Sequence, residues 1–191
     1  MNHSEFVKHI NQYYPLSKET VEDLLNICTE EYYHKNDLLL ESGSMARYYY
    51  FIKSGLIGYY TVDEQGNNIY KIFFEENSFA ASTAAIIKNV PSDFNIIALE
   101  DSSVVQYPAK AYRELLKKHH DLALFHINYL EKNWVVKKEP LEVSLRYETA
   151  KKRHLQLLEN QSLYNRLKQH QIASYLGITP TQLSRIKKEI S

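Results

Sequence analysis

Residues 169–188 read Q-H-Q-I-A-S-Y-L-G-I-T-P-T-Q-L-S-R-I-K-K, and the rest of the chain is organised around this stretch. Ile172 and Leu176 are four apart and Leu183 and Ile186 three apart, so each pair shares one face of a short helix. Ile178 lies between them as a plug, and Ala173 supplies a small contact. Gly177 falls where the chain must take a positive φ, and Thr179 followed by Pro180 is an N-cap with proline at the first helical position. Two short amphipathic helices at a sharp angle are therefore expected: a helix-turn-helix. Thr181, Gln182, Ser184, Arg185, Lys187 and Lys188 remain on the outward face of the second helix, with Thr179 at its start. Short hydrogen-bonders and cations are the residue types that read base edges and hold phosphates, so double-stranded DNA is the expected partner.

Charge distribution agrees with that expectation. The 191 residues sum to zero, yet residues 146–191 hold nine Lys/Arg against three Glu, a net +6, which leaves −6 on the other 145. Counterion release from phosphate favours a basic reading end, while the acidic remainder limits indiscriminate adhesion. At 44% hydrophobic and 24% charged the composition is that of an ordinary globular chain. One cysteine, Cys28, excludes an internal disulfide, a cysteine-ligated iron-sulfur cluster and a zinc-finger ligand set, and reads as a buried structural thiol. No apolar run approaches the ~20 residues that cross a bilayer, and the N-terminus has no signal-peptide pattern, so a cytoplasmic protein with no membrane partner is expected.

The N-terminal part changes period. Residues 6–13 and 17–27 look helical, the second with Ser17 as N-cap. From about Glu30 to Pro108 come short β-rich runs at 47–52, 55–62, 68–74, 95–99 and 103–107, separated by glycine-bearing turns. Such spacing favours a small antiparallel roll. Helix resumes at Ala109. Residues 121–145 carry two apolar stripes: Leu122, Phe125, Tyr129, Val136 and Val143, and beside them Ile127, Leu130, Trp134, Leu141 and Leu145. A helix apolar on two faces needs two partners, and the first stripe through Leu122, Phe125, Tyr129 and Val136 is assigned to a second copy of the chain. Pro140 is expected to kink or restart this helix.

Asn36-Asp37-x-Leu39, Gly43, Tyr50-Phe51-Ile52, Gly55, Tyr59 and Asn77-Ser78-Phe79 resemble the jelly-roll effector domain of the Crp/Fnr family of bacterial transcription regulators, and the end of the chain resembles that family's helix-turn-helix. The resemblance implies an α+β fold: a cyclic-nucleotide-binding-like antiparallel β-roll over residues 1–118, a long dimerisation helix over 119–146 and a helix-turn-helix DNA-binding domain over 147–191, its usual wing absent or truncated. It also implies a homodimer on a palindromic operator, RNA polymerase as a partner and a small effector. Counted without gaps from Asn77, the pair that holds ribose in nucleotide-binding members falls at Ala81 and Ser82. The arginine-serine pair that neutralises the cyclic phosphate falls at Ser92 and Asp93, and the base-contacting pair at Lys137 and Lys138. All are changed, so the effector expected at Ala81, Ser82, Thr83, Ser92, Asp93, Lys137 and Lys138 is not a cyclic nucleotide.

Of the eight histidines only His34 lies in the strand region, and neither a metal-ligand cluster nor a catalytic motif accompanies any of them. No catalytic residue, metal or cofactor is expected. The alternative to a regulator is a ligand-binding or protein-interaction module whose helix-turn-helix is vestigial.

Overall fold

The computed structural model describes residues 4–140 and 148–190. Helices α1 (Ser4–Asn11) and α2 (Lys18–Asn26) come first. Ser17 caps the second, its Oγ accepting from the Thr20 amide at 3.2 Å. Strands follow: β1 (Thr29–Tyr33), β2 (Leu38–Leu40), β3 (Tyr48–Ser54), β4 (Ile57–Val62), β5 (Asn68–Phe74), β6 (Phe79–Ala80), β7 (Asn95–Ala98) and β8 (Ser102–Pro108), with α3 (Thr83–Lys88) between β6 and β7. They form two antiparallel four-stranded sheets, ordered β1-β8-β3-β6 and β2-β7-β4-β5, the jelly-roll arrangement expected of the strand region. Strands β1, β2 and β6 and helix α3 were not among the runs read from sequence. β1 is T-E-E-Y-Y with its residues largely exposed, and β6 is two residues long, so neither offers a hydrophobic period.

Side-chain alternation builds the layers. On β3, Tyr50 and Ile52 enter the space between the sheets with Ile57, Tyr59, Ile96 and Val104, while Phe51 between them points outward into a second core. Gly55 closes the β3–β4 turn at φ 95°, where a Cβ would lie 2.2 Å from Ser102 Oγ, so both conformation and space demand glycine.

The second core is covered by helices. Helix α4 (Ala109–Lys118) and α5 (His120–Leu130) pack with α1 and α2 over Phe51, Phe79, Val105 and Tyr107. Leu122 is 0% and Phe125 3% exposed within this core, and Tyr129 packs against it. This corrects the interface expectation: Leu122, Phe125 and Tyr129 face their own roll, because the aromatic outer face of β3 and β8 leaves a large apolar surface that the nearest helix must cover. Of the four, Val136 alone points outward, at 66% exposure, beside Val135 at 60% and Ile127 at 48%. The chain also leaves α geometry earlier than Pro140, in a π-helical segment at Glu131–Val136; residues 138–140 are again helical. Leu141, Val143 and Leu145 lie outside the described residues.

The C-terminal helices are α6 (Ala150–Glu159), α7 (Gln161–Arg166), α8 (Gln169–Tyr175) and α9 (Pro180–Ile190). Thr149 caps α6, its Oγ1 accepting from the Lys152 amide at 3.2 Å. Their core, Leu157, Leu167, Ile172, Ala173, Leu176 and Leu183, is continuous with Leu56, Tyr60, Tyr70 and Leu99 on the outer face of the second sheet. Ser174 Oγ accepts from the Tyr70 amide (2.9 Å) and donates to Asn68 O (2.5 Å), so α8 satisfies the open edge of β5. Ile57 to Tyr60 are consequently buried on both faces, with Tyr59 and Tyr60 in the core.

Candidate nucleic-acid interface and effector site

The turn between α8 and α9 has the geometry expected of it. Gly177 takes φ 67°, and the Ile178 amide donates back to Ala173 O at 3.0 Å, which ends α8 with a left-handed residue. Arg153 Nη2 donates to Leu176 O at 2.6 Å, bracing the same end from α6. Thr179 and Gln182 cap α9 reciprocally: the Gln182 amide donates to Thr179 Oγ1 (3.2 Å), and the Thr179 amide to Gln182 Oε1 (2.9 Å). Leu183 is buried beneath. Thr181, Arg185 and Lys188 stand exposed on the outer face of α9. The other expected reading residues have local duties. Gln182 spends its carbonyl oxygen on the cap, and Ser184 Oγ accepts from Gln169 Nε2 at 2.7 Å, which fixes the angle between α8 and α9. Lys187 leans back over the Tyr164 ring at 5.3 Å, so its charge stays near α7 instead of projecting with Lys188.

The expected effector set does not converge on one cavity. Ser82 and Ser92 are buried and bonded to each other (Oγ–Oγ 2.8 Å), with Tyr59 OH 3.1 Å from Ser82 Oγ and Phe94 O accepting from Ser92 at 2.8 Å. Their hydroxyls satisfy one another, and Tyr59 stacks on Phe94 at 4.6 Å above them. Asp93 is exposed, and its carbonyl accepts from Thr61 Oγ1. Ala81 and Thr83 border a crevice of about 30 Å³ beside Trp134 and Phe125. Lys137 and Lys138 belong instead to a cavity of about 470 Å³ between roll, helix and C-terminal unit. Phe79, Tyr129 and Trp134 line both spaces and form the wall between them, a separation that spacing along the chain could not reveal.

Cys28 is buried, donates to Leu24 O at 3.2 Å, and burial pushes its pKa up to about 12, as a structural thiol requires. One titratable cluster escaped sequence reading: Glu19, Asp23 and His119 bring ligand atoms within 4.8 Å of one another. The Lys118 ammonium already lies among them, 2.6 Å from Asp23 and 3.6 Å from Glu19, and His119 Nε2 is 2.8 Å from Asp23. The group is an ionic tie between α2 and the α4–α5 junction. No helix among the described residues is long and apolar enough to cross a membrane.

Known proteins place this architecture. Residues 30–119 match the family model of the cyclic nucleotide-binding domain. No curated protein matches the chain by sequence. Among solved structures the chain is similar to FixK2 from Bradyrhizobium japonicum, with 16% identity, TM-score 0.71 and coverage of 86% of this chain and 84% of that one. It is similar to the c-di-GMP responsive global regulator CLP of Xanthomonas campestris at 13% identity, TM-score 0.73 and 91% of both chains. A mutant of CooA from Carboxydothermus hydrogenoformans aligns at 16% identity and TM-score 0.67 over 87% of this chain and 78% of that one. Residues 30–119 are therefore similar to the cyclic nucleotide-binding domain, set in a chain that shares the fold of these solved structures.

Proposed function

We propose that the protein is a sequence-specific, DNA-binding transcription regulator, without catalytic activity, in which a β-roll over residues 1–118 senses an effector, 119–146 form the dimer helix and 147–191 read DNA. The observation that carries this reading is the α9 face: Thr181, Arg185 and Lys188 stand exposed on a helix whose entry is fixed by the Gly177 turn and the Thr179–Gln182 cap. A helix so anchored at its N-terminal end can lie in a major groove, Arg185 meeting guanine O6 and N7 while Lys188 holds phosphate. The +6 charge of residues 146–191 supplies the non-specific attraction. Two-fold pairing through Ile127, Val135 and Val136 would present two such helices to a palindromic operator, with RNA polymerase and a cytoplasmic location following from that role.

Selection of bound fragments from random duplex DNA tests this, followed by anisotropy titration at several salt concentrations. A shared palindromic motif with half-sites about one helical turn apart is expected. Binding that shows no sequence preference, or none at all, would support the interaction-module alternative instead.

A further inference from the structure

The geometry points to the cavity of about 470 Å³ as a binding site for an amphipathic organic anion: an aromatic or polycyclic apolar body carrying a carboxylate or sulfonate. Its volume falls in the range of small-molecule sites, ~300 to 1,000 Å³. Five parts of the chain wall it. His9 comes from α1 and Tyr13 from just after it, Lys71 to Phe74 from β5, Asn77 to Phe79 from the stretch that enters β6, Tyr129, Asn133, Trp134, Lys137 and Lys138 from α5 and the residues after it, and Leu163 and Tyr175 from the C-terminal unit.

The chemistry of that wall selects the class. Phe73, Phe79, Tyr129, Trp134 and Tyr175 give a broad aromatic surface, which favours a flat apolar body. Three lysines, Lys71, Lys137 and Lys138, share the lining, and among the described residues no aspartate or glutamate does. Their like charges repel: burial and then Lys138 lower the Lys71 pKa, and burial, then Lys132 and Lys137, lower that of His9 beside them. A bound anion relieves this repulsion; a cation adds to it. Asn133 and Trp134 reach the cavity from the π-helical segment, a local departure from α geometry of the kind that recurs at functional sites. The inference deepens the regulator reading and rests on it for its consequence: a ligand touching both Trp134 and Tyr175 binds the roll side to the reading side, and so weights one arrangement of the two.

The test uses Trp134, the only tryptophan in the chain, as reporter. The full chain is titrated with 1-anilinonaphthalene-8-sulfonate and, in parallel, with N-phenyl-1-naphthylamine, the same body without the charge. One saturable anion site per chain with energy transfer from Trp134 is expected, the neutral compound binding at least about tenfold more weakly. Lys137→Gln combined with Lys138→Gln, both at exposed positions, should weaken the anion about tenfold and leave the neutral compound unchanged. Ser78→Leu, which adds bulk to the wall, should weaken both compounds. Equal binding of the two compounds, or an anion affinity indifferent to the lysine pair, overturns the site. A chain that gives the expected titrations but binds no DNA supports the site and overturns only its regulatory consequence.

Discussion

Arg166 and Glu76 meet fork to fork, Nη1 donating to Oε2 at 2.9 Å and Nη2 to Oε1 at 3.0 Å, while Glu100 accepts from Nη2 at 2.7 Å on the other side. One guanidinium from α7 thus closes on two carboxylates of the roll, and the bond to Arg166 holds Glu76 below the ordinary carboxylate value. Arg166→Ala leaves the two carboxylates facing each other and should cost ~1 to 2 kcal/mol, discounted for their partial exposure. For a chain of this length that is a fall in Tm of about 2 to 8 °C. Arg166→Lys should recover only part, since an ammonium cannot fork. The contribution of Glu76 is present above the ordinary glutamate pKa and fades as pH falls through its lowered one. Thermal melts of both variants at neutral pH check this; an unchanged Arg166→Ala midpoint would remove the tie from the account.

Arg185→Ala should weaken the selected operator by ~1 to 3 kcal/mol and relax one base position. Lys188→Ala should weaken all sequences alike and lower the salt slope by about 1. Competition titrations with operator and random duplex separate the two. Equal losses on both duplexes for Arg185→Ala would contradict its base-reading role.

Val136→Asp should convert a dimer to a monomer without unfolding it, because Val136 is 66% exposed in the single chain. Phe125→Asp places a carboxylate in the α5–roll core at 3% exposure and should cost ~4 kcal/mol or more, losing the fold itself. Sedimentation and circular dichroism distinguish these outcomes, and a folded Phe125→Asp monomer would overturn the assignment of the two helix faces.

The C-terminal unit should weaken in mild acid. His154 is buried, its Nε2 lies 3.0 Å from Tyr164 OH, and its Nδ1 has no hydrogen-bond partner among the described residues. Burial, then Lys187, lower its pKa, and burial lowers those of His126 and His9 as well. A histidine whose folded pKa lies below its unfolded value of ~6.5 takes up its proton first in the unfolded chain. Stability is therefore present above that value and is lost as pH falls below it. Urea midpoints between about pH 8 and 5 should decline, and His154→Gln should flatten part of the decline; a midpoint that rises toward pH 5 would contradict the sign.

Neither cyclic AMP nor cyclic GMP should bind at micromolar concentration. A phosphate at Ser82 and Ser92 would have to break the Tyr59–Ser82–Ser92 chain and would find no arginine there, only Asp93 nearby. Loss of the partner of a buried charge costs ~3 to 5 kcal/mol, or two to three decades of affinity. Calorimetric titration to millimolar nucleotide decides it, and a stoichiometric micromolar complex would show that the serine chain opens.

What the sequence alone determined lay within reach of local rules. The Gly177 turn, the Ser17 cap and the β3, β4 and β5 strands each follow from a few neighbouring side chains, and the order of these elements was enough to recognise the roll and the C-terminal helix pair. Two apolar stripes on residues 121–145 announced two partners, but not which stripe met which, since both are equally hydrophobic along the chain. That choice belonged to the tertiary structure: the aromatic faces of Phe51, Phe79 and Tyr107 claimed Leu122 and Phe125 and left Ile127, Val135 and Val136 outside. The same holds for the cavity. Tyr175 is 104 residues from Lys71, and the cavity forms only where α5 packs on the roll and α7 and α8 dock beside it through Arg166–Glu76 and Ser174–Tyr70. Periodicity reports which face of an element is apolar; which surface covers it depends on contacts between residues distant in the chain, whose free energy no local window contains.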